Sequence, residues 1–403
     1  MKNVLIISQY FPPDITAAAF RMEETRKLLM ERGYQVRVIT STPHKARTER
    51  SNDAELHAEG VLRVIVRPIS GRSVRAYLDQ YIGFAWRAFW LALRLRRSFR
   101  YDVIWASSPP LFVALTSMFL QLFCRCPAVL DIRDIWPESA IGVGKLRRRS
   151  IMERAGVILE NAAYRASSGI TCVSRPMQRY IAAKTKKEVV VVYNGVLNRE
   201  EISPPEFLEG QPSKIFCYSG NLGYAQGLDG VISAFAGSLK QPSMASARLL
   251  IVGTGALEEE LKEQAALLGI ADSVRFFGVM SKPEAMKIMA SAGTLLIPLV
   301  DSRAFEMTVP SKLFDCMSLG RPIIACIRGE GASILAESGG NIVVSPGDSD
   351  ALATALVTMS NEWQSRSALA KLNQLIIKER YTRDVAVDKL ADFLERMIQG
   401  AKT

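Results

Sequence analysis

Short apolar runs recur along the chain, each followed by a stretch whose apolar residues return at helical spacing, and this alternation predicts the elements in order. Asn3 to Ser8 reads as a buried strand, Gln9 to Thr16 as a loop, and Arg21 to Glu31 as a helix that Gly33 terminates. Tyr34 to Ser41 is the next strand, so the chain opens as a βαβ unit. Further strands are predicted at Leu62 to Val66, Val103 to Ala106, Ala128 to Asp131, Ile170 to Val173 and Val189 to Val192. Asn194 to Ser213, rich in Pro, Gly and Glu, reads as a linker.

The pattern then restarts. Lys214 to Gly220 and Leu249 to Gly253 are strands, Leu257 to Leu268 a helix, and Val274 to Gly278 a short strand. A helix near Pro283 to Ala290, a strand at Thr294 to Pro298, a helix from Ser311, a strand at Ile323 to Ala325 and a last helix after Tyr381 complete it. Strands alternating with helices specify parallel sheets, whose ligand crevice lies at the carboxyl ends of the strands. The fold class expected is α/β with two Rossmann-like domains, 1–200 and 214–385, joined by a linker at 201–213. A terminal helix at 386–403 is free to cross back to the first domain.

The length of 403 residues fits two domains better than one core. Six cysteines lack zinc-ligand spacing or a disulfide framework, and with only His44 and His57 present a histidine metal site is not expected. The apolar run Leu111 to Cys124 falls short of the roughly 20 residues that span a bilayer. The apolar start after Lys2 is a first strand, too short for a signal peptide, so a cytoplasmic protein is expected. Charge is unevenly spread: residues 1–200 carry +15 and the remainder −4. A basic half faces an anionic partner, whether nucleic acid, a phospholipid surface or a pyrophosphate-bearing substrate.

Candidate chemistry concentrates in the second half. Tyr218-Ser219-Gly220-Asn221-Leu222-Gly223 through Gln226 is a strand running into a glycine-rich turn. Glycine lets backbone N–H groups approach phosphate oxygens, although an ordinary strand-to-helix turn has the same look. Gly253-Thr254-Gly255 begins like a dinucleotide fingerprint, but Glu258 stands where the third glycine belongs, so NAD is not supported. In Pro310-Ser311-Lys312-Leu313-Phe314-Asp315 a helix beginning at Ser311 puts Lys312 and Asp315 on one face. The lysine can neutralise a diphosphate and the carboxylate can accept ribose hydroxyls; a surface ion pair has the same spacing.

Together these segments resemble the retaining glycosyltransferases of family 4. On the N-terminal side the resemblance rests on Tyr10-Phe11-Pro12-Pro13-Asp14, Arg21 and Asp131-Ile132-Arg133-Asp134-Ile135-Trp136-Pro137. It covers the whole chain, is strongest from Gly220 to Pro346, and is nearest to the bacterial surface-polysaccharide branch that includes O-antigen N-acetylfucosaminyltransferases. The resemblance implies the GT-B fold of two facing Rossmann domains. It also implies a nucleotide-sugar donor, expected to be UDP-linked, held by Gly220, Asn221, Gly223, Gln226, Gly253, Gly255, Glu306, Ser311, Lys312, Leu313 and Asp315. Tyr10, Pro13, Arg21 and Arg133 would hold the acceptor, and Lys312, Asp134 and Asp131 would serve catalysis. No cofactor and no essential metal is implied, because basic side chains and helix N-termini neutralise the leaving diphosphate.

Two departures stand out. Of the family's two glutamates eight residues apart, the second falls on Asp315 and the first on Met307, with Glu306 beside it. The Arg and Lys that clamp the diphosphate fall on Asn221 and Gln226. That leaves Lys312 and a base from the first domain to carry the charge. An internal ion pair is an equal reading of the Asp131 to Asp134 segment, and a Pro turn with a helix-face arginine explains Tyr10 to Arg21.

One basic aromatic segment remains. Tyr77, Tyr81, Phe84, Ala88, Leu91 and Leu95 recur at helical spacing, Trp86, Phe89, Trp90 and Leu93 widen the apolar arc, and Gln80, Arg87, Arg94 and Arg97 make a polar stripe. Arg96, Arg100, Lys145, Arg147, Arg148 and Arg149 add charge. This composition suits an interfacial helix on an anionic leaflet, each base contributing about 1 kcal/mol, or a domain helix whose apolar arc is core. No nucleic-acid motif accompanies it. The function expected is a membrane-peripheral transferase on the inner face of the cytoplasmic membrane. It would move an amino or deoxy sugar to a polyprenyl-diphosphate-linked saccharide. A transferase for a soluble acceptor, a non-catalytic scaffold and an epimerase are the rivals.

Overall fold

The computed structural model describes residues 1–14, 16–43, 58–66, 74–142, 144, 146–197 and 211–401. His44, His57, Lys145, the side chain of Tyr77 and positions 201–210 of the expected linker lie outside the described residues. The chain forms two units, Met1–Asn194 with Arg383–Thr403, and Gly195–Thr382.

In the first unit seven parallel strands are β1 (Asn3–Ser8), β2 (Gln35–Ser41), β3 (Val61–Val64), β4 (Val103–Ser108), β5 (Ala128–Ile132), β6 (Gly169–Cys172) and β7 (Val189–Val191). Their order is β3-β2-β1-β4-β5-β6-β7, in register through pairs such as Val4 with Val36 and Val103. Val4, Leu5, Ile6 and Ile7 are all wholly buried, as expected of a central parallel strand covered on both faces. The order reverses between β1 and β4, so the loops after these strands open at the topological switch point, where such sheets bind ligands.

The helices start where their caps allow. Ala17–Glu31 begins four residues before the expected Arg21, because Thr16 caps it: its Oγ1 accepts the Ala19 N–H at 3.1 Å. Three alanines then favour helix without marking a face, which is why spacing alone missed the first turn. The helix Arg383–Gly400 packs against this one. Arg383 meets Glu24 at 3.1 Å, Arg32 meets Asp388 at 2.7 Å, and the Tyr34 hydroxyl donates to Glu395 at 2.9 Å.

The second unit contains β8 (Ile215–Ser219), β9 (Arg248–Val252), β10 (Val274–Phe276), β11 (Thr294–Pro298), β12 (Ile323–Cys326) and β13 (Ile342–Val344), all parallel in the order β10-β9-β8-β11-β12-β13. Its switch point lies between β8 and β11. Phe216, Phe235, Leu249, Leu296 and Leu356 fill the core on its helix-covered faces, each contributing about 1.5–3 kcal/mol on burial. Gly195 and Val196 run beside Tyr381 and Thr382, with Val196 N–H donating to the Tyr381 carbonyl at 3.0 Å.

The structure also contains elements the pattern did not mark. Edge strand β13 is three residues long and only half-buried, too little apolar signal to notice. The run Leu111 to Cys124 contains the helix Val113–Cys124, which buries one face against β4 and β5. Among the described residues no helix is long and apolar enough to cross a membrane.

Candidate functional site

At the carboxyl edge of the second sheet two glycine turns lie backbone to backbone. Gly220 N–H donates to the Val252 carbonyl at 2.9 Å, Leu222 N–H to Thr254 at 3.0 Å, and Leu257 N–H to Leu222 at 3.0 Å. A Cβ on Gly253, whose φ is +124°, would stand 2.0 Å from the Gly220 carbonyl oxygen. One on Gly255 would stand 2.3 Å from that of Leu222. Both positions therefore require glycine for this close approach. Gln226 closes the first turn from inside, its Oε1 accepting the Gly223 N–H at 3.2 Å, while Asn221 is exposed at the tip.

Lys312, in the first turn of the helix Ser311–Ser318, reaches back to this turn. Its Nζ donates to the Tyr218 hydroxyl at 2.9 Å and lies 4.1 Å from the ring centroid; that hydroxyl in turn donates to the Asn221 carbonyl at 2.7 Å. The ammonium occupies the space that a side chain at Gly220 would need, 2.7 Å from the position of the missing Cβ. Burial pushes its pKa down to about 8, so near neutral pH it remains mostly charged. A partly desolvated ammonium beside a glycine turn and a helix N-terminus is a site for an anion.

Around it the expected residues divide. Asp315 pairs with Lys282 at 3.1 Å, at the start of the helix Lys282–Ser291 that Ser281 and Glu284 cap reciprocally. Ser311 is half-buried at the first helical position. Leu313 is wholly buried and its N–H donates to the Pro310 carbonyl at 3.0 Å, so it is core and not a donor contact as expected. Met307 is buried, whereas Glu306 beside it is well exposed and lies 3.6 Å from Arg328, which also holds Asp301 at 3.0 Å. The carboxylate open to a ligand at this place is that of Glu306.

In the first unit Arg21 and Asp131 form a bidentate pair, at 2.5 and 3.1 Å, with side chains only 2% and 0% exposed. Ser107 donates to Asp131 at 2.9 Å and Thr171 at 2.8 Å; Trp105 donates to Thr171 at 3.2 Å and lies under the Arg21 guanidinium. Both carboxylate oxygens are taken, and Arg21 holds Asp131 below the usual carboxylate range against the opposing effect of burial. This pair is a brace of the sheet. It corrects the expectations of a catalytic Asp131 and an acceptor contact at Arg21.

The neighbouring residues are differently placed. Arg133 is half-buried and its Nε has no hydrogen-bond partner among the described residues; burial, with Arg21 nearby, pushes its pKa down to about 10. Asp134 is also half-buried, and burial pushes its carboxyl up to about 6 despite a hydrogen bond from Ser139 and the charge of Arg133. Tyr10 is hydrogen-bonded to Tyr81, and burial holds its phenol far above the ordinary value. Pro13 is buried in the same loop. The first unit thus brings Tyr10, Arg133 and Asp134 into one electrostatic group.

Sequence reasoning missed Tyr218 as a site residue, and it missed Lys282, Arg328, Tyr81, Ser107 and Thr171. Their partners lie far away along the chain, and spacing carries no signal for such pairs.

Removing one member of a buried pair strands the other, so Asp131→Ala is expected to destabilise the first unit by about 3–5 kcal/mol. Urea unfolding checks this, and a loss near zero would refute the brace.

Residues 18–197 match the family model described as Glycosyltransferase Family 4, and residues 213–362 the one described as Glycosyl transferases group 1. The probable glycosyltransferase WbjE of Pseudomonas aeruginosa is 24% identical over 81% of this chain and 82% of its own length. The putative colanic acid biosynthesis glycosyl transferase WcaI of Escherichia coli K12 is 23% identical over 79% of this chain and 81% of its own. Among solved structures, Anabaena HepE in complex with UDP-glucose matches with a TM-score of 0.72 at 17% identity, covering 98% of this chain and 100% of that one. With two parallel-sheet units, an ammonium set over a glycine turn and both halves matched, the chain belongs to the family 4 glycosyltransferases and has their GT-B fold.

Proposed function

We propose that this glycosyltransferase moves a sugar, with retention, from a uridine diphosphate to a polyprenyl-diphosphate-linked saccharide during assembly of a bacterial surface polysaccharide. An N-acetylated amino or deoxy sugar fits the branch it resembles, and the reaction belongs at the inner face of the cytoplasmic membrane. The observation that carries the reading is the Lys312 ammonium held over Gly220 by Tyr218. A colanic acid relative and a neighbour holding UDP-glucose support the class of product and donor.

The roles follow from the chemistry of each unit. In the second, Lys312 and the N-terminus of Ser311–Ser318 stabilise the charge that grows on the departing diphosphate. Asp315, kept in place by Lys282, accepts ribose hydroxyls, and Glu306 accepts from the donor. In the first, the unpartnered Arg133 Nε suits the acceptor's diphosphate, and ionised Asp134 orients the acceptor hydroxyl. The acceptor oxygen bonds to the anomeric carbon on the face from which the phosphate oxygen leaves, and the acceptor proton passes to that oxygen. Because protein groups neutralise the diphosphate, the reaction is metal-independent.

Stabilisation in a thermal melt by one UDP-sugar tests the donor half, since a ligand of the native state raises the melting temperature. No shift with any nucleotide sugar would overturn the reading. Lys312→Ala is expected to lower kcat by about 10²–10³ with the fold intact, the scale of removing one preorganised charge. Tyr218→Phe, which frees the lysine and the Asn221 carbonyl but keeps the ammonium, should fall between wild type and Lys312→Ala in steady-state assays. Activity requires Asp134 ionised, so kcat/KM should fall about tenfold per pH unit below about 6 and decline again above about 8 as Lys312 loses its proton. Asp134→Asn should flatten the acid limb and keep the alkaline one. Incubation with EDTA followed by assay in chelator should leave the rate unchanged, and a metal-restorable loss would refute the metal-free clamp.

A further inference from the structure

The helix Val113–Cys124 lies between Val74–Leu95 on one side and Ile151–Ala166 on the other. Thr116 Oγ1 donates to the Ala85 carbonyl at 2.8 Å, and Gln121 Nε2 donates to that of Ala166 at 3.1 Å, fixing the three side by side. Their outward faces are apolar where a soluble helix would be polar. Trp86 is 61% exposed and Phe123 70%, with Trp90, Phe119, Leu122 and Ile158 also exposed. The first four, with buried Phe89 at their centre, form one ring cluster: Phe89 lies 5.4 Å from Trp90, 6.1 Å from Phe119 and 5.8 Å from Phe123. Trp86 stands edge-on to Trp90 at 5.6 Å. Exposed aromatics stacked across two helices are a connected patch, and a patch of this kind marks a docking surface.

Charge identifies the occupant. Arg87 and Arg94 on the first helix, Arg97 and Arg125 just after the first and second, and Arg154 and Arg165 on the third are all exposed. Of the acids on these helices, Glu160 is buried against Lys184, and Glu153 turns back to the backbone N–H of Arg149, leaving Asp79 exposed. A second copy docking face to face would set arginine against arginine, because a two-fold interface pairs a surface with itself. An anionic leaflet offers the opposite charge to the arginines and an acyl boundary to the rings.

We propose that the outward face of these three helices seats the protein on an anionic phospholipid bilayer. Trp86, Trp90, Phe119, Leu122 and Phe123 enter the acyl boundary, and the flanking arginines lie on the headgroups. The inference rests on the proposed lipid-linked acceptor and names the surface that would bring the enzyme to it. The full chain is sedimented with vesicles of phosphatidylcholine alone and of phosphatidylcholine mixed with phosphatidylglycerol. It is expected to pellet with the mixed vesicles only. The triple variant Trp86→Ser, Trp90→Ser, Phe123→Ser should bind them at least about tenfold more weakly. Because these side chains are exposed, the melting temperature and its shift with UDP should be unchanged; Phe123→Glu alone is the second variant if the triple one melts early. Wild-type protein left in the supernatant, or a variant that pellets as wild type does, overturns the surface. Self-association of the wild type that the same substitutions abolish also overturns it. Vesicle binding lost while UDP still stabilises the fold sinks this surface alone, whereas failure of every nucleotide sugar to stabilise sinks the transferase reading.

Discussion

With no Cβ on Gly253, the turn after β9 can rest against the carbonyl of Gly220, and the rest of the second-unit site is arranged around that approach. The two turns continue the parallel ladder past the ends of β8 and β9 through Gly220 to Val252 and Leu222 to Thr254. A ladder extended in this way holds a glycine backbone flat and rigid at the sheet edge. Only then is there room above Gly220 for an ammonium, and only then does Tyr218, on the last turn of strand, stand where it can hold one. The charge of the site is thus a consequence of a steric fact two strands away.

The first unit uses two arginines in opposite ways. Arg21 gives both of its terminal nitrogens to Asp131, which also takes Ser107 and Thr171, so the two charges are buried against each other. That closed pair nevertheless acts on its neighbour: after burial, Arg21 is the next cause that depresses the Arg133 pKa, and the Arg133 Nε has no partner among the described residues. Asp134, two bonds of chain from a strand end, keeps its proton to higher pH than an ordinary carboxylate. A closed electrostatic pair thus lies beside an arginine and a carboxylate whose proton affinities burial has shifted toward each other.

Much of this was legible in the residues and some could not have been. The apolar runs mark the strands because parallel strands buried on both faces must be apolar throughout, and β1, β4 and β11 sit where the runs do. Gly220, Lys312 and Asp315 could be picked out as candidates because a turn, a helix start and two charges fall within short motifs. Asp131 and Asp134 lie three residues apart, look alike in sequence, and differ only in what surrounds them, which no spacing encodes. Leu313 sits inside the same motif as Lys312 but faces the core, because alternate sides of a helix turn have opposite environments. Tyr218 and Lys312 are 94 positions apart, and Arg383 and Glu24 are 359 apart. Only the folded chain brings such pairs together.

The return of residues 383–400 to the first unit makes the second an insertion within it. During synthesis the strands of the first unit emerge early, but the flank of the helix Ala17–Glu31 that carries Glu24 remains uncovered until Arg383 and its helix have been made. The inserted unit is complete by Thr382, so a segment translated after it closes a segment translated before it. The usual order, in which an N-terminal domain finishes before its neighbour, is reversed here. For this chain, the ribosome must pass through the whole second unit and the helix after it before the first-made domain owns all of its surface.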